Sequence, residues 1–540
     1  MREWLQKLND AYGWKILFIL FASQHILKGF VISLTMSSND YLLKEYHLTG
    51  PQLQLYKAVI SLPWALKPLV GILSDAVPLF GYRKAPYILF ATVLGVAGFA
   101  VVGANSHLNL YEVVACLFFG NLHVSVCDLL TEAKYSEKIR QDPSNGPELV
   151  TYVWSGVTLG SFVAVSSSGT LITNYGPRII YLICAATSCL VLFPTLINCL
   201  EETPMTSEEV TSHRNRIIKH EKVVIYLSLL VASCVAAMAA TSLVITNVTT
   251  SFYVSIAVAI IVLTTFTLFL RPDIGLVNAF YFIQTSCALG IDGATFYFFT
   301  DSAVIFPGGP NFSIFFYTTV VGLVAAMFNL IGLWTYSNYA KGWKYRSLFM
   351  GANIILSVIN LCSVMLYSRV NKTLGIPDKA FVICGSVLQS MISTWMWMPG
   401  VVLMAQLCPK GMEASMYALL AGCHNIGSSV NQSFGAFMLE QLGVNPNGKA
   451  GDPEQFKNLW LAALISSMVP MLSLFLIPYC VPNALQTDNI LNENVTSATA
   501  GSPWEQMFGG AKSKIDDDVR TPVTDQDASD FKETNRLIEN

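Results

Sequence analysis

Apolar runs of roughly 20 residues, the length that crosses about 30 Å of bilayer hydrocarbon, recur along this chain and leave no room for an ordinary soluble fold. They fall at 14–36, 52–77, 86–105, 111–133, 149–174, 178–200, 223–245, 252–270, 275–299, 313–336, 345–368, 378–406, 412–438 and 459–481, fourteen in all. Hydrophobic residues make up 53% and charged residues 12%, the latter about half of the usual soluble share. The expected class is an all-α, multi-pass membrane protein set in a lipid bilayer. A net charge of -3 provides no basic field for nucleic acid. The 12 cysteines lie mostly in apolar runs without CxxC or His-rich spacing, which fits small core residues and no metal site. GxSxG, HExxH and a phosphate loop are absent, so neither an enzyme nor a cofactor is expected.

Lysine and arginine counts orient the spans. With the N-terminus inside, the inside segments hold seventeen of them, Arg83 and Lys84 included, and the outside loops seven. Both termini are therefore expected in the cytoplasm. The sequons at Asn247, Asn311 and Asn371 then fall in outside loops and are the glycosylation candidates of a glycoprotein; the one at Asn494 falls inside. The first apolar run is too long for a signal-peptide core and residues 1–13 are too short for a transit peptide. The plasma membrane is the default location.

Residues 201–222, EETPMTSEEVTSHRNRIIKHEK, form the one long polar connection before the tail. A glycine precedes a basic cluster across a cytoplasmic turn twice, from Gly71 to Lys84 and from Gly332 to Arg346, which pairs the second span with the tenth. The expected division is an N-terminal six-helix half (1–200), a cytoplasmic linker (201–222), an intervening two-helix hairpin (223–270), a C-terminal six-helix half (271–482) and a disordered tail (483–540). Paired six-helix halves are a plan on which alternating access is built.

Charges at hydrocarbon depth are expensive and tend to mark a solute pathway. Lys67 and Asp75 lie eight residues apart on one helix face, about 12 Å along the axis. Asp128 and Glu132 share a face one turn apart. His25 and Lys28 sit at i and i+3 in the first span, and Asp292 lies between glycines in the ninth. Lys67 either meets an anionic solute or is neutralised by Asp128 or Asp75. Asp75, Arg83 and Lys84, at one boundary, suit a gate whose pairs form in one state and break in the other. Asn425 and Gln432 share a face of the thirteenth span and, like Gln284, Gln389 and Gln406, either join helices or bind a ring. Trp395, Trp397 and Met398 offer stacking or plain packing.

The pattern G-x-L-x-D followed by G-x-R-K resembles the signature loop of the major facilitator superfamily, with a longer turn between Asp75 and Gly81. WALKPLVGILSDAVPLFGYRKAPY (64–87), CDLLTEAKYSE (127–137) and WMWMPGVVLMAQLCPKGMEASMYALLAGCHNIG (395–427) are together similar to the folate-biopterin transporter family. That resemblance covers roughly residues 13–482 in arrangement. It implies a secondary transporter of folate or biopterin, often by proton symport, with other metabolites such as S-adenosylmethionine carried by some relatives. The DLLTE segment matches the family's acidic motif, so Asp128 and Glu132 would grip a pterin edge through paired hydrogen bonds or carry the proton. A different class, a non-transporting membrane receptor or scaffold, has no need of Lys67, Asp128 and Asp292 at that depth.

Overall fold

The computed structural model describes residues 2–508 apart from 143–144, 221, 410–412, 451–453, 489, 492–494 and 496. Among them the regular structure is helical, with isolated bridges only. Eleven helices are long and apolar enough to cross a membrane, and they coincide with the expected spans one to eight and ten to twelve. Three expected spans depart from that standard. The ninth breaks into Pro272–Ser286 and Asp292–Thr300. The thirteenth, Glu413–Gln441, is one helix of 29 residues diluted by His424, Asn425, Asn431 and Gln432. The fourteenth tightens from Leu459–Met468 into a 3-10 segment, Val469–Phe475.

Local chemistry sets where the helices begin. Thr49 with Gln52 and Asn109 with Glu112 form reciprocal caps, each matching two otherwise orphaned amides. Pro86, Pro147 and Pro272 stand in first turns, where a missing N–H costs nothing. Two spans are irregular in mid-course. The first widens to π geometry over Phe21–Val31, and the second tightens to 3-10 over Leu62–Leu66, which contains Pro63 and is followed by Pro68. Lys28 lies in the widened segment and Lys67 directly follows the tightened one.

Packing repeats along the chain. The third span packs on the fourth and sixth, the first on the fifth, and the second on the fourth; likewise the eleventh packs on the twelfth and fourteenth, the ninth on the thirteenth, and the tenth on the twelfth. The two groups meet where the second span lies along the thirteenth and the fifth along the tenth. The seventh and eighth spans, Lys222–Ile245 and Val248–Phe269, lie over the first of these seams, touching the thirteenth span and Leu62–Ala76.

On the face that carries the 45–49 and 301–313 loops, the two groups are bonded together. Lys44 Nζ pairs with Asp301 at 2.7 Å, the Tyr297 hydroxyl donates to the Leu48 carbonyl at 2.7 Å, and Gly50 N donates to Pro446 O at 2.7 Å. A Cβ at Gly293 would overlap the Gly50 carbonyl oxygen, so only glycine permits that crossing.

The expectation of a disordered tail from residue 483 needs correction over its first part. Gln486 bonds to the Tyr336 hydroxyl and to the carbonyls of Ala340 and Trp343, Arg271 N donates to Ala498 O, and Trp504 packs on Phe269. A polar composition hid these contacts because they are made by single side chains against helix ends. Residues 509–540 lie outside the described residues.

Candidate functional site

Three of the charged residues singled out above converge. Asp128, 1% exposed, is bracketed by Lys28 Nζ at 2.9 Å from Oδ1 and Lys67 Nζ at 2.6 Å from Oδ2. The lysine side chains as a whole keep partial exposure, 21% for Lys28 and 11% for Lys67. Each also rests on an indole, Lys28 over Trp154 at 5.0 Å and Lys67 over Trp64 at 4.7 Å, a cation–π contact that strengthens on desolvation. Irregular geometry delivers both lysines: the π widening presents Lys28 and the 3-10 turn presents Lys67. Segments of π helix inside α-helices recur at functional sites.

The charge count decides what this triad can do. Two ammonium groups share one carboxylate, so within the triad itself one positive charge is in excess, and Glu132 one turn on is the next carboxylate within range of Lys28. Each ammonium has three donors and gives one to Asp128, so donors remain for an anionic solute. Glu132, half-buried one turn on, accepts from the Tyr135 hydroxyl at 3.3 Å and lies close enough to act on Lys28. Tyr417 of the thirteenth span is within the field of Lys28, Asp128 and Glu132, so the triad faces the seam between the two groups. Asn425 donates to the Trp64 carbonyl at 3.0 Å, tying the thirteenth span to the residue that covers Lys67.

Asp292 is not with them. It heads the second segment of the ninth span and accepts from Gln432 Nε2 at 3.2 Å. The break before it is held by side chains of other spans. Asn431 Oδ1 accepts from Gly290 N at 2.6 Å, Gln54 Nε2 donates to the carbonyls of Gly290 and Gln432 at 2.8 and 2.7 Å, and Ser466 donates to Leu289 O at 2.7 Å. Unwound backbone at this depth survives only when so satisfied. Close by, Lys57 pairs with Asp40 at 2.7 Å and feels the charge of Asp292. Asp40 lines a cavity of about 930 Å³ between the first, fifth and ninth to twelfth spans.

At the opposite boundary, Arg83 lies 3.8 Å from Asp75, and Lys84 pairs with Glu137 at 2.7 Å while its backbone N–H donates to Glu202 at 3.0 Å. All of these partners belong to residues 75–202, so in this conformation they bind the second to fourth spans to the linker. Of the sequons, Asn247 and Asn311 are exposed. Asn371 is fully buried and donates to Asp378 at 2.7 Å. We therefore expect Asn247→Gln and Asn311→Gln, and not Asn371→Gln, to change the shift in gel mobility caused by endoglycosidase.

A model of the BT1 family matches residues 28–500. The chain belongs to the BT1 family. This BT1 chain is 23% identical over 500 residues to "Probable folate-biopterin transporter 2" of Arabidopsis thaliana, covering 91% of this chain and 89% of that protein. It is 25% identical over 473 residues to "Folate-biopterin transporter" of Synechocystis, covering 86% and 82%, and 23% identical over 455 residues to "Folate transporter 1" of Plasmodium falciparum, covering 84% and 77%. Among solved structures, a peptide transporter POT in complex with sulfate superposes with a TM-score of 0.59 at 14% identity, covering 88% and 97%. A D-xylose-proton symporter does so with a TM-score of 0.53 at 12% identity, covering 89% and 98%. The fold of the BT1 chain is therefore major-facilitator-like, and its family is one of transporters, not enzymes.

Proposed function

We propose that this BT1 protein is a secondary active transporter of the plasma membrane that moves folate or biopterin by alternating access, with both termini in the cytoplasm. The observation that carries the reading is the surplus ammonium charge of the Lys28–Asp128–Lys67 triad at the seam between two six-span groups. It suits a cargo with a carboxylate, as the names of the relatives suggest. The repeated packing of spans one to six and nine to fourteen supports two halves that rock about that seam, with 201–222 as the linker and 223–270 as an added hairpin. A proton on Asp128 or Glu132 would release the lysines to the cargo and so couple the two fluxes. S-adenosylmethionine, the alternative cargo, carries a sulfonium cation, which the surplus positive charge disfavours. A receptor or scaffold would gain nothing from buried charges that cost several kcal/mol each to desolvate.

Uptake of labelled folate, biopterin and S-adenosylmethionine into cells lacking their own carriers, at external pH of about 5.5 and about 7.5, roughly a hundredfold apart in proton activity, tests this reading. Folate or biopterin uptake that rises at the lower pH is expected. Uptake of S-adenosylmethionine alone would overturn the cargo assignment, and pH-independent folate uptake would overturn proton coupling alone.

A further inference from the structure

A second cavity, of about 380 Å³, lies wholly within the C-terminal group and is lined by the ninth and eleventh to fourteenth spans. That volume is near the lower end of the ~300–1,000 Å³ typical of small-molecule sites. Among the described residues no Asp, Glu, Lys or Arg lines it. Its walls instead carry hydrogen-bonding groups that the protein leaves unmatched. The Tyr281 hydroxyl and the Asn353 side-chain nitrogen are both buried, at 8% and 4% exposure, and neither has a partner among the described residues. Buried donors without partners cost free energy, and a ligand that accepts from them recovers it. Gly400 leaves space beside the Tyr281 hydroxyl, which would lie 2.9 Å from a Cβ there. At the rim, Trp397 is half-exposed and tilted against His424, ring centroids 5.5 Å apart.

We propose that this pocket receives a flat, uncharged heteroaromatic ring, with Tyr281 and Asn353 donating to acceptor atoms on its edge and Trp397 against its face. The proposal rests on the transport reading above and assigns the ring end of the same cargo. His424, on the pocket wall, is the chain neighbour of Asn425, which is bonded to the Trp64 carbonyl above Lys67. The neutral pocket and the cationic triad are thus adjoining, one on each side of the seam. A cargo with a ring at one end and a carboxylate at the other would span them, and closing the seam would need both halves to grip it.

Equilibrium binding of radiolabelled folate and biopterin to the purified full-length protein in lipid nanodiscs tests this. Tyr281→Phe removes an oxygen that holds no bond, so its thermal unfolding midpoint should match wild type. It should weaken both ligands about tenfold, the scale of one lost hydrogen bond. Trp397→Leu, at the exposed rim, should do the same. Lys67→Gln should cost folate far more than biopterin, which lacks a carboxylate. Wild-type affinity for biopterin in both Tyr281→Phe and Trp397→Leu, with Lys67→Gln still impairing folate, would overturn the pocket assignment and leave the transport reading intact. A wild-type protein that binds neither ligand overturns the transport reading and this inference with it.

Discussion

Asp128→Asn will reduce folate or biopterin uptake at least ~100-fold, because it leaves Lys28 and Lys67 facing each other at hydrocarbon depth without a counterion. Removing one member of a buried ion pair costs about 3–5 kcal/mol, and here two cations depend on one carboxylate at 2.9 and 2.6 Å. Part of the loss will appear as less protein in the membrane, so the single variant cannot separate folding from transport. The double variant Asp128→Asn with Lys67→Met can. It keeps Lys28 as the one cation and so restores the surplus of one positive charge found in the wild type. We expect it to regain membrane abundance but not uptake, since both the proton-accepting carboxylate and one cargo-facing ammonium are gone. Full recovery of pH-dependent uptake in the double variant would mean that Asp128 only balances charge.

Lys28, Asp128 and Lys67 were each legible because the cost of a charge in lipid makes it conspicuous within an apolar run. Their meeting was not legible. They stand on three spans, 39 and 61 residues apart in order along the chain, and no helical periodicity relates residues on different helices. Asp128 as the neutraliser of Lys67 was one of two partners open on the sequence; the other, Asp75, lies against Arg83.

Asp292 shows a different blindness. Hydropathy averaged over 275–299 passes across the break at 287–291, because the flanks on either side are apolar. The available signal was Gly290 and Gly293 opposite the amides of the thirteenth span. Lys57 was hidden by its apolar neighbours in the second span. Asp40 fell past residue 36, where the first apolar run was ended although its helix continues to Lys44. The 14-span tally counted apolar runs, whereas a run with a break or a run rich in amides need not be a continuous apolar helix.

Gly293→Ala is the second substitution with a large expected effect, and its consequence is conformational. The added methyl must displace either the Gly50 carbonyl or the backbone that carries it, and overpacking of this kind costs about 1–3 kcal/mol. The contact joins the two groups on the face closed by Lys44–Asp301 and Gln54, so the cost falls on this conformation and not on one in which that face is parted. A penalty of about 1.4 kcal/mol shifts such an equilibrium tenfold. Ser37 lines the wide cavity beside Asp40 and is half-buried, so Ser37→Cys serves as a reporter once the native cysteines are replaced. An impermeant maleimide added from the 45–49 loop side should label that position about ten times faster in Gly293→Ala, while uptake falls. Acid should act in the same direction. Burial raises the Asp301 carboxyl above its ordinary value despite Lys44, so as pH falls Asp301 loses its charge earlier than a free aspartate and the pair to Lys44 loosens. Labelling that is indifferent to both the methyl group and the pH would mean that this seam is not the barrier on that face, and the alternating-access scheme would then need a different closed side.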